Sequence, residues 1–400
     1  MLAGCVSIGT RRTENRCISQ PSRSRYGISR SRRRIVAWFG MKVRDVGNRE
    51  QARNAVEQGI VKQVFIDGTG QIVVKEVEEP QLYDNCVLSK TAYSLISTGT
   101  ETMGVMARRK NPDPNRPDSN CGYSNSGVLV KVGKNVKGLS PGDRVGNYGS
   151  PSAFGGHAGV CCIGKNLCVK LPEGVELKEA AFTGLGGIAI QAVRRANLTF
   201  GETAVIMGLG VLGQLIARIC NAVGYRTLAT DFLQSRLEIA AAAGVKTMSA
   251  NEDVPSYVSD ITEGQGADAV LVVVASESSE PVNQALKMIR FGGRIVMVGV
   301  ARMEIDRSLF FAKEADFVIS RAAGPGRYDP SYERDGLDMP YPFVRWTEGR
   351  NLKEFIRLLA ERRIRVDDLI THEYPVEKAA EAYEQVLSRP QETLGVLLKY

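Results

Sequence analysis

Thr203-Ala-Val-Ile-Met-Gly208-Leu-Gly210-Val-Leu-Gly213, with Asp231 eighteen residues past the last glycine, decides the fold of this 400-residue chain. Thr203 to Met207 is a short, β-branched, apolar run of the kind a buried parallel strand requires. Gly208 permits a tight turn, Gly210 lets backbone approach a pyrophosphate, and Gly213 lets the next helix pack closely on the strand. Leu212, Leu215, Ile216, Ile219, Cys220 and Val223 fall on one face of that helix, and Gly224 is its stop. The helix N-terminus offers free amides and a positive dipole end to phosphates. A second strand, Thr227 to Thr230, delivers Asp231 to the ribose hydroxyls. Gly208, Leu209, Gly210, Val211, Leu212 and Gly213 are therefore read as a nicotinamide dinucleotide site, with Asp231 and Arg236 beside them. Asp231 favours NAD(H), because a carboxylate accepts from a 2′-hydroxyl and repels a 2′-phosphate. Arg236 could offer a phosphate partner, or be an exposed residue of the first helical turn.

Outward from this segment, residues 203 to 300 alternate strand and helix. Ala267 to Val274 reads as an apolar strand, Pro281 to Arg290 as a helix capped by Ser279 or Glu280, and Gly292-Gly293 as a turn into the strand Arg294 to Val298. That alternation implies a doubly wound parallel sheet. Upstream, Val61 to Ile66, Gly70 to Val77, Val87 to Ser94 and Gly127 to Val132 read as strands of an antiparallel domain, and Leu177 to Ala196 as helix. Downstream, residues 324 to 347 read as a loop, 351 to 362 and 376 to 388 as amphipathic helices, and Gly395 to Leu398 as a last strand. The expected fold class is α/β. Its expected domains are a disordered Arg-rich leader (1–40), a β domain built from 41–195 and 335–400, and a Rossmann domain (196–334).

The formal charge of +8 is concentrated at the N-terminus. Residues 1 to 40 hold nine arginines and one acid, and beyond them basic and acidic residues balance at 43 each. The body thus carries no overall charge to favour nucleic acid. The leader has transit-peptide chemistry; the stronger reading is a disordered extension, or sequence upstream of a start at Met41. No apolar run approaches a membrane span of roughly 18 residues. Eight cysteines without a CxxC pair suit a reducing cytoplasm.

The order of these parts resembles the medium-chain dehydrogenase/reductase family. The resemblance covers roughly residues 60 to 400. It rests on Gly138-Leu-Ser-Pro-Gly-Asp-Arg-Val145, Lys170-Leu-Pro-Glu-Gly174, the Gly208 fingerprint with Asp231, Gly292-Gly293-Arg-Ile-Val, and Leu369-Ile-Thr-His-Glu373. It implies a GroES-like β domain, completed by the C-terminal segment, packed on the Rossmann domain with the active site between them. The family's metal chemistry does not carry over. Its first zinc ligand is a Cys in a Cys-x-[Ser/Thr]-Asp turn, which here reads Thr98-Gly99-Thr100-Glu101. Its Gly-His-Glu motif reads Gly122-Tyr123-Ser124, and its third ligand falls at Thr183 or Gly184. Zinc favours thiolate, imidazole or carboxylate donors, so no metal is expected. The closest resemblance is to a zinc-less subgroup carrying Ser-Thr-Gly-Thr-Glu (Ser97 to Glu101), Gly-Tyr-Ser and Gly-Pro-Gly-Arg-Tyr-Asp-Pro (Gly324 to Pro330). Relatives of that subgroup occur fused to sugar- or inositol-dehydrogenase-like domains, which implies a sugar, polyol or cyclitol substrate.

Without a metal, side chains alone must supply the acid/base. Tyr123 and His157 are the candidates, with Thr100 as a relay and Glu101 next in line, although Glu101, in place of the family's turn aspartate, reads first as structural. His157 sits in Phe154-Gly-Gly-His-Ala158, a segment that in the family lines the substrate side of the cleft; it reads equally as a surface or capping histidine, and Tyr123 as a packed aromatic. His372 reads as structural. Thr98, Arg327 and Tyr328 are candidate substrate contacts. The expected activity is a zinc-independent, NAD(H)-dependent interconversion of a secondary alcohol and a ketone. A reductase of activated double bonds and a catalytically silent nucleotide-binding protein are the rivals. A homodimer or tetramer is expected, because Arg294 to Val298 is an apolar strand that the resemblance puts toward the sheet edge.

Overall fold

Thr203–Met207 forms the centre of a six-stranded sheet whose spatial order is Lys246–Ser249, Arg226–Asp231, Thr203–Met207, Ala267–Val272, Ile289–Met297 and Asp316–Ile319. In this computed structural model, which describes residues 59–149 and 155–400, every neighbouring pair in that sheet is parallel. The strands are apolar on both faces because helices cover both. Val205, Ile206, Val270, Leu271 and Val272 are fully buried. The chain runs outward from Thr203–Met207 in one direction and then returns to Ala267–Val272 on its other side. This reversal opens a crevice at the C-terminal strand ends.

Two sequence expectations need correction here. Gly292-Gly293 is not a turn between separate elements. The strand continues from Ile289 through it, with a shift of register opposite Ala267 and Ala269. A Cβ on Gly293 would lie 2.9 Å from the Ile289 Cβ, so that glycine serves close approach. The strand containing Arg294 is not the sheet edge either. Asp316–Ile319 pairs along it and takes the edge position. The leader, the first residues of the expected β domain (41–58) and Phe154 fall outside the described residues.

The second sheet has seven strands. Its path is Ile370–Pro375, Gly395–Lys399, Cys86–Leu95, Ser124–Val132, Arg144–Tyr148 and Cys168–Lys170, with Val160–Gly164 also pairing against Cys86–Leu95. The C-terminal strand Gly395–Lys399 runs antiparallel to Cys86–Leu95, so the end of the chain completes the β layer. A small sheet of Ile60–Ile66, Ile72–Glu78 and Ser119–Asn120 adjoins it through a bridge from Gln63 to Ala158. The helix Thr183–Ala196 ties the two large sheets together. It packs on Ser124–Val132 and Arg144–Tyr148 on one side, and on Ala267–Val272 and Ile289–Met297 on the other. Its glycines bring the helix Glu348–Ala360 close: a Cβ on Gly186 would meet the Phe355 ring at 2.2 Å. The fold is thus α/β, a GroES-like antiparallel part joined to a doubly wound parallel sheet. Among the described residues no helix is long and apolar enough to cross a membrane.

Candidate active site

The three fingerprint glycines each have a visible cause. Gly208 has φ +96°, a left-handed conformation that a Cβ would strain. A Cβ on Gly213 would lie 1.9 Å from the Gly208 carbonyl oxygen, so the helix could not approach its strand. A Cβ on Gly210 would meet nothing within 4 Å, which leaves the backbone open to a ligand. Gly210 is also the N-cap of the helix Val211–Ala222, and no side chain caps it. Its first amides are therefore free for an anion.

Asp231 closes the end of the second strand at 7% exposure. Its Oδ2 accepts from the Leu209 amide at 2.7 Å and its Oδ1 from the Leu233 amide at 2.9 Å. Arg236 is half-buried rather than exposed. It lies 3.6 Å from Asp231 and donates to the Pro390 carbonyl. Gly208 and Asp231 line a cavity of about 520 Å³ together with Phe232 and Val254. The ionisable groups around it are Asp231, Glu252, Asp253, Glu280 and Lys287, four acids to one base. An uncapped helix end, an open glycine and an oriented carboxylate fit a dinucleotide. Gly208 to Gly213 would hold its pyrophosphate and Asp231 a ribose.

The former ligand positions come together around Tyr123. The Tyr123 hydroxyl donates to Ser97 Oγ at 2.6 Å, one residue before Thr98. The next residue, Ser124, accepts from the Gly184 amide at 2.8 Å and donates to the Ala181 carbonyl at 2.6 Å. These groups do not fit a zinc ion. Thr183 donates its hydroxyl to the Ala180 carbonyl, and the Thr98 carbonyl accepts from the Thr102 hydroxyl. Among the described residues no three His, Cys, Asp or Glu side chains converge on a metal-sized site. Burial of the hydroxyl pushes Tyr123 up to about 12, against the Ser97 hydrogen bond that lowers it. Tyr123 therefore carries its proton at neutral pH.

His157 packs against Gly122, one residue before Tyr123. It is fully buried, with Nδ1 2.7 Å from Ser94 Oγ and Nε2 3.0 Å from Glu101 Oε2. Glu101 also accepts from the Tyr383 hydroxyl and, at 2.8 Å, from the Ser97 amide. Thr98 to Glu101 is not a free turn, because Thr100 begins the helix Thr100–Lys110 and turns Glu101 inward. His157 and Glu101 thus form a closed network with no ring nitrogen left for a substrate. Thr100 stays exposed at the helix start and reaches the Tyr123 hydroxyl. His372 is half-buried on the Ile370–Pro375 strand, its Nε2 3.4 Å from Gln385 Nε2.

Arg327 and Tyr328 split in the same way. Tyr328 is 52% exposed, but the Arg327 side chain is only 7% exposed. Arg327 Nη1 donates to the Gly149 carbonyl at 3.0 Å and faces Glu333 at 3.2 Å and Glu348 at 3.9 Å. Its guanidinium stacks 4.2 Å from the Tyr148 ring centroid, and Tyr148 meets Tyr123 edge-on at 5.7 Å. Sequence reasoning missed Ser97, Glu333, Glu348 and Tyr383. Glu348 reads in sequence as an ordinary acid in a helical first turn, and Tyr383 as one apolar face position.

A doubly wound sheet with a dinucleotide fingerprint, joined to a GroES-like β layer, defines the class of two-part nicotinamide-dependent dehydrogenases. Residues 211–332 match the model of the zinc-binding dehydrogenase family, a span that excludes Thr98, Tyr123 and Thr183. The chain is 31% identical over 242 residues to 2-dehydro-3-deoxy-L-galactonate 5-dehydrogenase of Pseudoalteromonas atlantica, covering 53% of this chain and 70% of that one. It is 27% identical over 291 residues to sorbitol dehydrogenase of Homo sapiens, covering 66% and 75%. Its fold overlays galactitol-1-phosphate dehydrogenase from Escherichia coli with a TM-score of 0.69 at 21% identity, covering 85% and 100%. The chain belongs to the medium-chain dehydrogenase/reductase family, and it is an oxidoreductase of the alcohol–carbonyl type with a nicotinamide cofactor.

Proposed function

We propose that this protein is a zinc-independent, NAD(H)-dependent oxidoreductase that interconverts a secondary alcohol and a ketone on a sugar, polyol or cyclitol-like substrate. The observation that carries this reading is the pairing of an acid-lined dinucleotide crevice with a protonated Tyr123 where relatives would hold a metal. The names of the relatives, sorbitol dehydrogenase and D-xylulose reductase among them, support the substrate class. The bound nicotinamide supplies or takes a hydride. Tyr123 gives its proton to the developing alkoxide in the reductive direction, and takes one back in oxidation. Ser97 holds that hydroxyl in place, and Thr100 lies within reach as a relay. Glu101, itself held by His157, accepts from the Ser97 amide. A panel of polyols and cyclitols with NAD⁺, followed by absorbance of the reduced cofactor, tests the reading; no turnover on any would count against it.

Cofactor choice gives a first expected outcome. NAD(H) should bind more tightly than NADP(H), because a 2′-phosphate would enter a crevice lined by Asp231, Glu252, Asp253 and Glu280. Calorimetric titration of both cofactors decides this, and equal or tighter NADP(H) binding would reverse the assignment. Asp231→Ser should narrow the gap. The protein should also carry no stoichiometric zinc in elemental analysis. A bound metal lost together with activity on chelation would overturn the ligand reading.

The assembly expected is a homodimer. Asp316–Ile319 leaves its outer backbone edge without a partner strand among the described residues, and Ile319 is 52% exposed. A second copy can pair there across a two-fold axis. Light scattering at micromolar concentration should give a dimer, and Ile319→Lys should shift it to monomer. A wild-type monomer would refute the interface.

A further inference from the structure

An alternating stack of arginines and tyrosines runs from the outside of the Gly324–Pro330 loop to the candidate acid. The Arg321 guanidinium lies 4.5 Å from the Tyr328 ring centroid. Arg327 lies 4.9 Å from the same ring and 4.2 Å from Tyr148, which in turn meets Tyr123 at 5.7 Å. The backbone makes the connection a second time. Arg327 Nη1 donates to the Gly149 carbonyl, and the Gly149 amide donates to the Tyr123 carbonyl at 2.6 Å. Glu333 and Glu348, both fully buried, hold the guanidinium from the far side. The Arg327 Nε remains a buried donor without a partner. A guanidinium cannot lose its charge, so the cation is permanent and its position is fixed. Burying it behind two aromatic rings, rather than at the surface, is costly unless the charge has a use.

We propose that Arg327 is a positioning residue of the reaction, a fixed cation clamped by Glu333 and Glu348 that acts through Tyr148 and Gly149 to orient Tyr123 and to stabilise it as a phenolate. The proposal rests on the reading of Tyr123 as the acid/base. In the reductive direction the phenol O–H bond breaks, the proton passes to the substrate oxygen, and negative charge is left on Tyr123. A positive charge already in place stabilises that state without any reorganisation. Two charges face Tyr123 from opposite elements. Glu101, on the helix Thr100–Lys110, opposes ionisation, and Arg327, on the loop, favours it. Tyr148 stands between Arg327 and Tyr123, itself held protonated by burial. Ser97 and Thr100 add only neutral hydroxyls.

The test uses the full chain labelled with 3-fluorotyrosine, whose ionisation is read by fluorine NMR. The Tyr123 resonance is the one lost in Tyr123→Phe. Wild type is compared with Arg327→Lys, and with Arg327→Met combined with Glu333→Gln, which removes the cation and one counter-charge together. The Tyr123 midpoint should rise in the double variant, because Arg327 lowers it and Glu333 is not among the groups that act on it; across Tyr148 the rise is smaller than the roughly one unit that an adjacent opposite charge gives. Arg327→Lys should restore most of the shift. Where turnover is measurable, the rising limb of kcat against pH should move in the same direction. An unmoved Tyr123 midpoint in a folded double variant overturns the proposal. If the double variant fails to fold, Arg327→Gln gives the same comparison. A shifted midpoint with no turnover on any polyol would keep the role of Arg327 and remove the proposed reaction, so the two failures are distinguishable.

Discussion

Tyr123→Phe is expected to lower turnover by about 10²–10⁴, the usual cost of removing a general acid/base, with NAD(H) affinity nearly unchanged. The substitution deletes one oxygen and keeps the ring. The ring packs edge-on against Tyr148, so the site should keep its shape. The hydrogen bonds to Ser97 and Thr100 are lost. His157→Ala should behave differently. Both of its ring nitrogens are engaged inside the protein, so its removal leaves Ser94 and Glu101 short of a partner. Ser94 keeps Tyr400, and Glu101 keeps Tyr383 and the Ser97 amide, so each lost hydrogen bond costs about 0.5–1.5 kcal/mol, to which the cavity left by the ring adds. His157→Ala should therefore lose stability first, and its folded fraction, measured at low temperature, should keep substantial turnover. Single-turnover kinetics paired with thermal melts separate the two behaviours. Wild-type turnover in Tyr123→Phe would exclude Tyr123 and turn attention to Thr100 and Glu101.

The sheet around Thr203 was legible because its causes are local. A β-branched run, three glycines with separate duties and one carboxylate all fall within 29 residues of sequence. The glycine geometry agrees with those duties one by one. Gly292-Gly293 shows where local reading stops. Two adjacent glycines suggest a turn, but here they let a strand pass close to Ala267 and Ile289. The sheet edge was misplaced for a related reason. The strand Asp316–Ile319 is four residues long, and only its pairing with the Arg294 segment gives it identity.

The site was legible in its positions and not in its partners. Tyr123, Thr98 and Thr183 could be located through the family's motif order. Whether a titratable group faces solvent or other side chains depends on residues far off in sequence. Glu101 meets His157 at a separation of 56 residues and Tyr383 at 282. Arg327 in a Gly- and Pro-rich loop reads as exposed, and nothing local says that Glu333 and Glu348 draw it inside. The zinc question shows the opposite case. The donor types are fixed by the sequence, and the structure adds that the Tyr123 and Thr183 hydroxyls donate to Ser97 and to the Ala180 carbonyl.

Glu348→Gln should flatten the pH dependence of stability between about pH 5 and 8. Glu348 is fully buried, and neither carboxyl oxygen has a hydrogen-bond partner. Burial raises it from 4.5 to about 8, Arg327 pulls it down only in part, and Glu333 pushes it further up. In the unfolded chain Glu348 gives up its proton near 4.5, whereas in the folded protein it keeps it to about 8. The folded state thus binds more protons throughout that interval. Stability contributed by this group is complete below about pH 4.5, declines as pH rises, and levels off above about 8. At about 1.4 kcal/mol per unit the full decline is on the order of 3–5 kcal/mol. Carboxylates held below their ordinary value, such as Asp67 and Asp143, act at the acid end and do not overlap this window. Glutamine keeps the shape and cannot ionise, so urea midpoints at pH 5, 7 and 8.5 should converge in the variant and diverge in wild type. Parallel pH profiles for the two proteins would mean that Glu348 is ionised in the folded state. Arg327 would then face an ionised Glu348, and its pull on Tyr123 would be correspondingly weaker.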